Sequence, residues 1–377
     1  MIRPERITEQ FLSLAKIDSP SFGERNMADR LTEELKKLGI AAEEDGAAAK
    51  THGTAGNLYA FLPGGRGSPL LFSGHMDTVK PALGKKPQLQ PDGTITSDGT
   101  TVLGADDLSG VTVIIEALTS ILEDGLPHRP LEILFTIAEE PYDCGSEVFD
   151  FGKIRSKEAY VLDLNGAAGG AAYAAPSICS FTAELFGKTS HAGFAPEKGI
   201  HAVAAAARAV DRLKMGYLDG ETTLNVGTIQ GGAAANIVPD HCSVGGELRS
   251  YSHAKAKKLL EEVTNTFSQA ADSFGATCRV TSRFGCRAYE MPLEDPVARR
   301  YGAACEKAGI HADFFRTFGG SDANQFWQHG IRSLVIASAM FQSHTCKEYT
   351  SVSDMTKIAE IVQELMLGAE ESGQNCP

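Results

Sequence analysis

A histidine and a carboxylate at strand spacing follow an apolar run near residue 70. The run 70–72 is followed by His75 and, two residues later, by Asp77. Because residues i and i+2 of a strand face the same way, both side chains project together. The carboxylate can then bind the imidazole nitrogen that does not bind a metal. Alone the pair is a weak signal, since a single histidine is more often a hydrogen-bonded residue of the core.

Two adjacent acids follow a second apolar run. Glu139 and Glu140 come directly after the run 131–138. Adjacent residues of a strand point to opposite faces, so one carboxylate can bind a metal while its neighbour reaches toward a substrate. A solvated turn is an equally good interpretation of the pair taken alone. The residue pattern does not say which glutamate would be the ligand.

Two further candidates stand at or after the ends of apolar runs. Asp163 ends the run 159–162, and His344 lies in the loop after the run 333–339. Ligands of open α/β sheets gather at the carboxyl ends of parallel strands, so these side chains are expected at one edge of a sheet.

Asp106 completes the set, just before a predicted helix over 107–123. Asp107 is interpreted as the N-cap of that helix. Two histidines and three carboxylates without cysteine form a nitrogen and oxygen set suited to two zinc ions bridged by one carboxylate. Two such ions share a water, lower its pKa toward about 7 and polarise a scissile carbonyl, and the spare glutamate is placed to act as general base.

Alternating strands and helices must position these residues. Apolar runs suited to strands occupy 57–62, 69–73, 131–138 and 159–164. Together with helical stretches such as 107–123, they predict an α/β domain with a largely parallel sheet covered on both faces. Ser21 and Glu24 form a capping box that is predicted to begin an amphipathic helix ending at Gly39.

The middle of the chain has a different pattern. It contains a strand at 178–188, a helix at 199–214, strands at 222–230 and 240–250, a helix at 253–274 and a strand at 276–284. This β-α-β-β-α-β order is typical of a ferredoxin-like sandwich. At 377 residues the chain exceeds the size of one core. We therefore predict a catalytic domain split into 1–175 and 290–377, with an inserted domain at 176–289.

Composition excludes several classes of function. The formal net charge of −13 opposes binding to nucleic acid. No apolar run approaches the ~20 residues of a membrane helix, and the charged N-terminus is not typical of a signal peptide, so a cytoplasmic protein is expected. The eight cysteines include no C-x-x-C pair, which predicts reduced thiols rather than a disulfide framework or a cysteine zinc site.

Five motifs together resemble a known family. They are residues 73–79 (SGHMDTV), residues 104–110 (GADDLSG), Glu139 with Glu140, Asp163, and His344. In order and spacing they resemble the co-catalytic zinc peptidases that include peptidase T, aminoacylase and glutamate carboxypeptidase, with peptidase T and its relatives nearest. The resemblance covers nearly the whole chain, and the conjunction of the five motifs is highly specific.

The resemblance implies a role for each of these residues. One zinc would bind His75 and Asp163, the other would bind Glu140 and His344, and Asp106 would bridge them. The resemblance also implies that cobalt or manganese can substitute for zinc. Asp77 would orient His75, and Glu139 would be the general base.

Residues of the predicted inserted domain also resemble family positions. Residues 187–193 (GKTSHAG) resemble the lid motif, which implies that His191 hydrogen-bonds the reacting carbonyl, often from the partner subunit. Asn236 and Arg249 resemble positions that bind a substrate carboxylate. A plain turn residue for His191 and a surface charge for Arg249 are the alternatives.

A glycine loop and three departures complete the comparison with the family pattern. Gly320 and Ser321 lie in a segment that resembles a loop offering backbone N–H groups to the substrate carboxylate. Tyr142 and Leu164 stand where glycine is usual, and Leu108 replaces a common lysine. None of the three removes a ligand, so they bear on substrate preference more than on catalysis.

The resemblance implies a peptidase T-like tripeptide aminopeptidase that acts on short peptides as a homodimer through its lid domain. An N-acyl-amino-acid deacylase or a small carboxypeptidase would use the same metals. A catalytically inactive peptide-binding relative is the non-enzyme alternative, and the intact Glu139 argues against it. A nucleotide binder would need G-x-G-x-x-G after a strand, which 166–170 does not provide.

Overall fold

The computed structural model describes residues 1–367, and the chain divides into two compact units. Of the described residues, the first unit comprises Met1–Tyr173, Met291–Thr317 and 321–367; the second comprises Ala174–Glu290 and Phe318–Gly320. The boundaries 1–175, 176–289 and 290–377 remain a prediction, of which residues 368–377 lie outside the described part of the chain.

Strands and helices alternate along most of the described chain. The strands are β1 (Ala42–Glu44), β2 (Leu58–Leu62), β3 (Leu70–His75), β4 (Gln88–Leu89), β5 (Thr94–Thr96), β6 (Leu131–Thr136), β7 (Glu158–Asn165), β8 (Gly170–Ala175), β9 (Ser177–Phe186), β10 (Ser190–His191), β11 (Gly216–Tyr217), β12 (Thr222–Gly231), β13 (Ile237–Val238), β14 (His241–Ser250), β15 (Thr277–Cys286), β16 (Tyr289–Glu290), β17 (Asp313–Arg316), β18 (Arg332–Phe341) and β19 (Tyr349–Ser351). The α-helices are α1 (Pro4–Ala15), α2 (Arg25–Lys37), α3 (Ala47–Thr51), α4 (Ala105–Glu123), α5 (Cys144–Glu147), α6 (Ala202–Arg212), α7 (His253–Ser273), α8 (Pro296–Lys307), α9 (Ala323–Gln328) and α10 (Val352–Leu367). Single 3-10 turns occupy Phe151–Lys153 and Pro196–Lys198.

The main sheet of the first unit has a parallel centre and antiparallel edges. Its strands lie in the order β1-β2-β6-β3-β7-β18-β19-β5-β4. The four neighbours β6, β3, β7 and β18 run parallel, whereas β2 pairs with β6, and β19 with β18, in the antiparallel direction. The carboxyl ends of the four parallel strands therefore meet at one edge of the sheet, where ligands of such sheets bind.

Helix α4 is the central helix of this unit. It packs on β3, β7 and β18, and both α1 and α10 pack against it. Residues on all sides of it, including Val111, Ile114 and Leu118, are fully buried. A helix that is apolar all round belongs in a core. Its first residues consequently lie rigidly at the carboxyl ends of the parallel strands.

The second unit contains a five-stranded antiparallel sheet in the order β11-β12-β14-β9-β15. Along β9 the side chains of Phe181, Ala183 and Leu185 are buried, while those of Thr182 and Glu184 between them are half-buried. The buried set packs against α6 and α7, which also contact each other. The predicted α/β class, with a mostly parallel central sheet and a separate sheet formed by the middle of the chain, is confirmed.

The predicted capping box at the start of α2 is wrong. Glu24 is the N-cap residue, and no side chain makes a capping hydrogen bond there. The Ser21 hydroxyl donates instead to Asp77 Oδ2 at 2.7 Å, and Glu24 Oε1 accepts from the backbone N–H groups of Phe22 and Ala138. A charged acceptor makes the stronger hydrogen bond, so Ser21 is directed toward the Asp77 carboxylate.

Two further properties concern the described residues as a whole. Within residues 1–367, no helix is both long and apolar enough to cross a membrane. Free thiols are carried by Cys179, Cys242, Cys278, Cys305 and Cys346. Cys376, one of the predicted reduced thiols, lies outside the described residues.

Candidate metal centre

The predicted ligands of the first unit come together where the parallel strands end. His75 is the last residue of β3, and Asp163 lies near the end of β7. Glu140 follows β6 by four residues, and His344 follows β18 by three. Asp106 arrives from the buried start of α4. Four of these side chains, distant in sequence, thus converge because their strands are parallel neighbours, and the fifth joins them because α4 begins at the same edge.

These five side chains form two donor groups that share Asp106. One consists of His75, Asp106 and Asp163, the other of Asp106, Glu140 and His344, and within each group the ligand atoms lie within 4.8 Å of one another. Asp106 Oδ1 is 3.0 Å from His75 Nε2, and Asp106 Oδ2 is 3.1 Å from His344 Nε2. His344 Nε2 is also 3.0 Å from Glu140 Oε2. Each oxygen of Asp106 therefore faces a different group, as a bridging carboxylate requires.

The donor chemistry of both groups fits a divalent transition metal. Each group offers one imidazole nitrogen and two carboxylates, a combination common at zinc, manganese and cobalt sites. A carboxylate shared by both groups allows two ions to lie close together, which is the arrangement of two-metal hydrolytic sites.

The electrostatics of the cluster favour cations. Burial, followed by the charge of Asp163, raises the pKa of Glu139 well above its usual value. Burial and the charge of Asp106 do the same to the pKa of Asp163. Burial opposes a charged His75 ring, but its hydrogen bonds to Asp106 and Asp77 outweigh burial and raise its pKa. Crowded, desolvated carboxylates resist ionisation unless positive charge is near, so a cation would stabilise them.

Asp77 contacts His75 and also the segment that follows β6. His75 Nδ1 is 2.9 Å from the backbone carbonyl oxygen of Asp77 and 3.4 Å from the carboxylate atom Oδ1. The carboxylate itself accepts hydrogen bonds from the backbone N–H groups of Glu139 at 3.0 Å and Glu140 at 3.3 Å, and from the hydroxyl of Ser21. Its main contacts therefore fix the segment that bears the two glutamates.

The Asp107 carboxylate does not cap α4 as predicted. Gly104 precedes the helix, Asp106 and Asp107 keep non-helical backbone angles at its start, and the Asp107 carboxylate accepts a hydrogen bond from the backbone N–H of His75 at 3.2 Å. A Cβ at Gly74 would lie 2.6 Å from Asp107 Oδ2, and one at Gly110 would lie 2.4 Å from Oδ1. The glycines of the two motifs thus leave space for this carboxylate. Buried beside the strand, Asp107 supports the backbone of His75.

The lid-like residues of the second unit form a small local structure. The pair β10 and β13 places His191 opposite Ile237, and the Ala192 N–H donates to the carbonyl of Asn236 at 3.0 Å. His191 Nδ1 accepts hydrogen bonds from the backbone N–H groups of Gly193 at 3.1 Å and Phe194 at 3.2 Å. The proton of a neutral His191 ring is therefore on Nε2, which is left as a donor.

The remaining predicted substrate residues have partners within the chain. Arg249 Nε donates to Glu247 at 2.6 Å, and Arg249 Nη1 donates to the carbonyl of Phe318 at 2.5 Å. The backbone N–H of Ser321 donates to Asn324 Oδ1 at 3.1 Å, so this N–H is used at the start of α9. Gly320 packs closely against Cys286, because a Cβ at position 320 would lie only 2.5 Å from Cys286 Sγ.

The three departures from the family pattern lie close to the donor groups. Leu108 and Leu164 are buried, the first in α4 and the second in β7 beside Asp163. Tyr142 follows the glutamate pair with a left-handed backbone, at φ 67°. Glycine adopts that conformation without strain, which explains its usual occurrence at this position.

Sequence reasoning missed Glu348, which contacts the backbone beside Asp106. Glu348 lies four residues after His344 and accepts hydrogen bonds from the N–H groups of Leu103, Gly104 and Asp106. Its short spacing from a candidate ligand was the only signal in the sequence.

Comparison with protein families gives two matches. A peptidase dimerisation domain, M20_dimer, matches residues 173–274, and peptidase family M28 matches residues 57–207. The first range covers most of the second structural unit, and the second covers β2, β3, β6 and α4 of the metal centre.

Similar proteins extend over nearly the whole chain. The uncharacterized protein YqjE of Bacillus subtilis is 34% identical over 363 residues, which is 96% of this chain and 98% of that protein. Peptidase T of Clostridium perfringens is 25% identical over 415 residues, covering 96% of this chain and 98% of its own.

Solved structures agree with these relatives. The aminopeptidase PepT of Bacillus cereus has 35% identity and a TM-score of 0.88, covering 97% of this chain and 98% of its own. A tripeptidase of Staphylococcus aureus has 31% identity and a TM-score of 0.92, with the same coverage. Identity above 30% over almost the full length of both chains confirms the predicted resemblance, and this chain belongs to the peptidase T-like metallopeptidases.

Proposed function

We propose that this metallopeptidase removes the N-terminal residue of tripeptides with two zinc ions per chain, and that it acts in the cytoplasm as a homodimer. The observation that carries the proposal is the pair of donor groups that share Asp106. Similarity to an aminopeptidase and to a tripeptidase supports the choice of substrate. The free thiols suit a reducing compartment.

The two donor groups would each bind one zinc ion. His75 and Asp163 would hold one ion, Glu140 and His344 would hold the other, and Asp106 would be shared by both. Ions bound there would lower the pKa of a shared water toward about 7 and polarise the scissile carbonyl.

Glu139 is the proposed general base. It belongs to neither donor group, although its neighbour Glu140 does, and its Oε2 lies 3.9 Å from His75 Nε2. The hydrogen bond from the Glu139 backbone N–H to Asp77 fixes the backbone position from which the Glu139 side chain extends. The Glu139 carboxylate takes a proton from the water as the new C–O bond forms. It then gives that proton to the amine nitrogen as the C–N bond breaks.

His191 is the proposed donor to the carbonyl oxygen, acting on the neighbouring chain. With Nδ1 engaged by backbone N–H groups, Nε2–H is available to stabilise a developing oxyanion. Dimerisation through the second unit is supported by its match to a peptidase dimerisation domain. In the described chain, β11 pairs with only two residues of β12, so residues 225–231 form a sheet edge that a second copy can cover.

Arg249 remains the proposed binder of the peptide's C-terminal carboxylate, because a guanidinium can bond both carboxylate oxygens at once. Asn236 lies beside the His191 segment and is proposed to contact the same substrate. Gly320 and Ser321 are weaker candidates, since the Ser321 N–H already donates to Asn324.

Elemental analysis and a substrate panel test the proposal together. We expect close to two zinc ions per chain after reconstitution, and loss of activity on chelation. A tripeptide with a free N-terminus should be cleaved faster than its N-acetylated form, a dipeptide or a ten-residue peptide. Absence of bound divalent metal after reconstitution would contradict the metal site. Faster turnover of an N-acetyl amino acid than of any tripeptide would favour a deacylase instead.

A further inference from the structure

The carboxylate of Glu348 is used entirely on the turn that begins α4. Glu348 is 1% exposed and lies directly before β19. Its Oε2 accepts from the N–H groups of Leu103 and Gly104, each at 2.8 Å, and its Oε1 accepts from the N–H of Asp106 at 2.9 Å. Charge-assisted bonds of this kind are among the strongest hydrogen bonds in proteins. The backbone around Asp106 is therefore attached to the segment that carries His344.

These bonds determine where the Asp106 carboxylate points. Asp106 has a non-helical backbone, with φ −83° and ψ 102°, so the hydrogen bonds of α4 do not fix it. Its two oxygens must nevertheless reach His75 and His344 at 3.0 and 3.1 Å. The Glu348 carboxylate supplies the restraint that the helix does not.

Lys85 lies beside the same turn. A Cβ at Gly104 would lie 3.0 Å from Lys85 Nζ, so the lysine packs against this glycine. Lys85 is 5% exposed, and among the described residues its Nζ has no hydrogen-bond partner. Burial lowers its pKa to about 8, against the opposing charges of Glu348 and Asp18. A buried ammonium is costly unless opposite charge is near, and the carboxylates of Glu348 and Asp18 supply that charge without a direct hydrogen bond to Lys85 Nζ among the described residues.

We infer that Glu348, with Lys85 as its counter-charge, is a positioning residue that sets the geometry of the shared carboxylate Asp106 between the two metal-binding groups. The inference rests on the proposed metal site. Among residues 1–367, the hydrogen bonds of Glu348 go to backbone N–H groups and not to a ligand atom of either donor group. Residues that orient metal ligands typically change metal affinity by 10- to 100-fold when they are replaced.

The test uses Glu348→Gln in the full-length protein. A glutamine has one acceptor oxygen, and its NH2 group must face at least one of the three N–H donors. We expect affinity for Mn²⁺, measured by chelator competition, to fall by about 10- to 100-fold. The spin coupling between two bound Mn²⁺ ions, measured by electron paramagnetic resonance, should weaken. For a tripeptide, kcat should fall while KM changes little.

Glu132→Gln is the matched control. Glu132 is also fully buried and accepts hydrogen bonds from the backbone N–H groups of Arg155 and Ser156. It lies near the start of β6, at the opposite end of that strand from the donor groups. We expect Glu132→Gln to lower the midpoint of thermal unfolding and to leave Mn²⁺ affinity and spin coupling unchanged.

Lys85 variants keep the inference testable should Glu348→Gln fold poorly. Lys85→Met should lower Mn²⁺ affinity in the same direction, and Lys85→Arg, which preserves the charge, should restore most of it. Mn²⁺ affinity of folded Glu348→Gln within twofold of the wild type would overturn the inference, as would equal losses in Glu348→Gln and Glu132→Gln. A wild-type chain that binds no Mn²⁺, Zn²⁺ or Co²⁺ would contradict the proposed function instead.

Discussion

Replacing Asp77 with asparagine tests how the glutamate pair is positioned. In the wild type, Oδ1 accepts from the Glu139 N–H, and Oδ2 accepts from the Glu140 N–H and the Ser21 hydroxyl. Asparagine replaces one oxygen with an NH2 group, which must face one of the two backbone N–H groups. The Ser21 hydroxyl can rotate and accept, so the NH2 group should face Glu140. The Glu140 N–H then loses its acceptor.

The size of the effect follows from that lost bond. A buried donor without an acceptor costs about 1 to 3 kcal/mol, which corresponds to a loss of about 5- to 150-fold in kcat/KM if the distortion is felt in the transition state. His75 should be little affected, because its Nδ1 bonds to the backbone carbonyl of Asp77, which the substitution leaves in place. Metal should therefore be lost from the Glu140 and His344 group before the His75 group.

Steady-state kinetics on a tripeptide, with metal stoichiometry on the same samples, would measure both effects. Ser21→Ala is the milder variant for comparison, since it removes one hydrogen bond to the Asp77 carboxylate and keeps the two bonds from the backbone N–H groups. Its loss of kcat/KM should be smaller than that of Asp77→Asn. If Asp77→Asn stays within twofold of the wild type, or Ser21→Ala is the more damaging change, the reasoning is refuted.

Four other substitutions give distinct outcomes. Glu140→Gln should lose metal on dialysis, whereas Glu139→Gln should retain it and lose about 100- to 10,000-fold in turnover, which elemental analysis and initial rates separate. His191→Ala should lower kcat by about 100- to 1,000-fold with metal retained. When His191→Ala chains are mixed with inactive Glu139→Gln chains, the mixed dimers should regain activity. Verified heterodimers without activity would exclude the action of His191 on the neighbouring chain. Burial, with the charge of Asp77 adding to it, raises the pKa of Glu24 from 4.5 to about 7. The folded chain therefore binds the proton more tightly, and stability falls as pH rises between these values. Glu24→Gln should raise the midpoint of thermal unfolding of the metal-free chain at pH 8 and change it little at pH 4. An equal rise of the midpoint at both pH values would contradict the raised pKa of Glu24.

The parallel sheet and the order of elements in both units could be predicted from local patterns. The apolar run before His75 gives β3, and the β-α-β-β-α-β order gives the second sheet, because side-chain periodicity and turn residues are local in sequence. The convergence of Asp163 with His75 follows from the rule that parallel strands end at the same edge.

The restraints around the candidate ligands could not be predicted in the same way. Glu348 bonds to the backbone of Asp106 across 242 positions, and Asp77 bonds to that of Glu139 across 62. No periodicity encodes such pairs, because they depend on which loops the fold brings together. The failed capping box has the same cause, since Asp77 attracts the hydroxyl of Ser21 from 56 positions away.

The order of the donor residues along the chain has a consequence for assembly during synthesis. His75, Asp106 and Asp163 all precede the second unit, whereas His344 is translated 181 residues after Asp163 (344 minus 163). At about 5 to 20 residues per second, that interval lasts on the order of 10 to 40 seconds. The three residues of the first group are therefore on the nascent chain well before the second group has its histidine, although Glu348, which bonds to the backbone of Asp106, follows His344. If each group holds one ion as proposed, this order of synthesis would make the ligands of the first ion available before β18 joins the sheet.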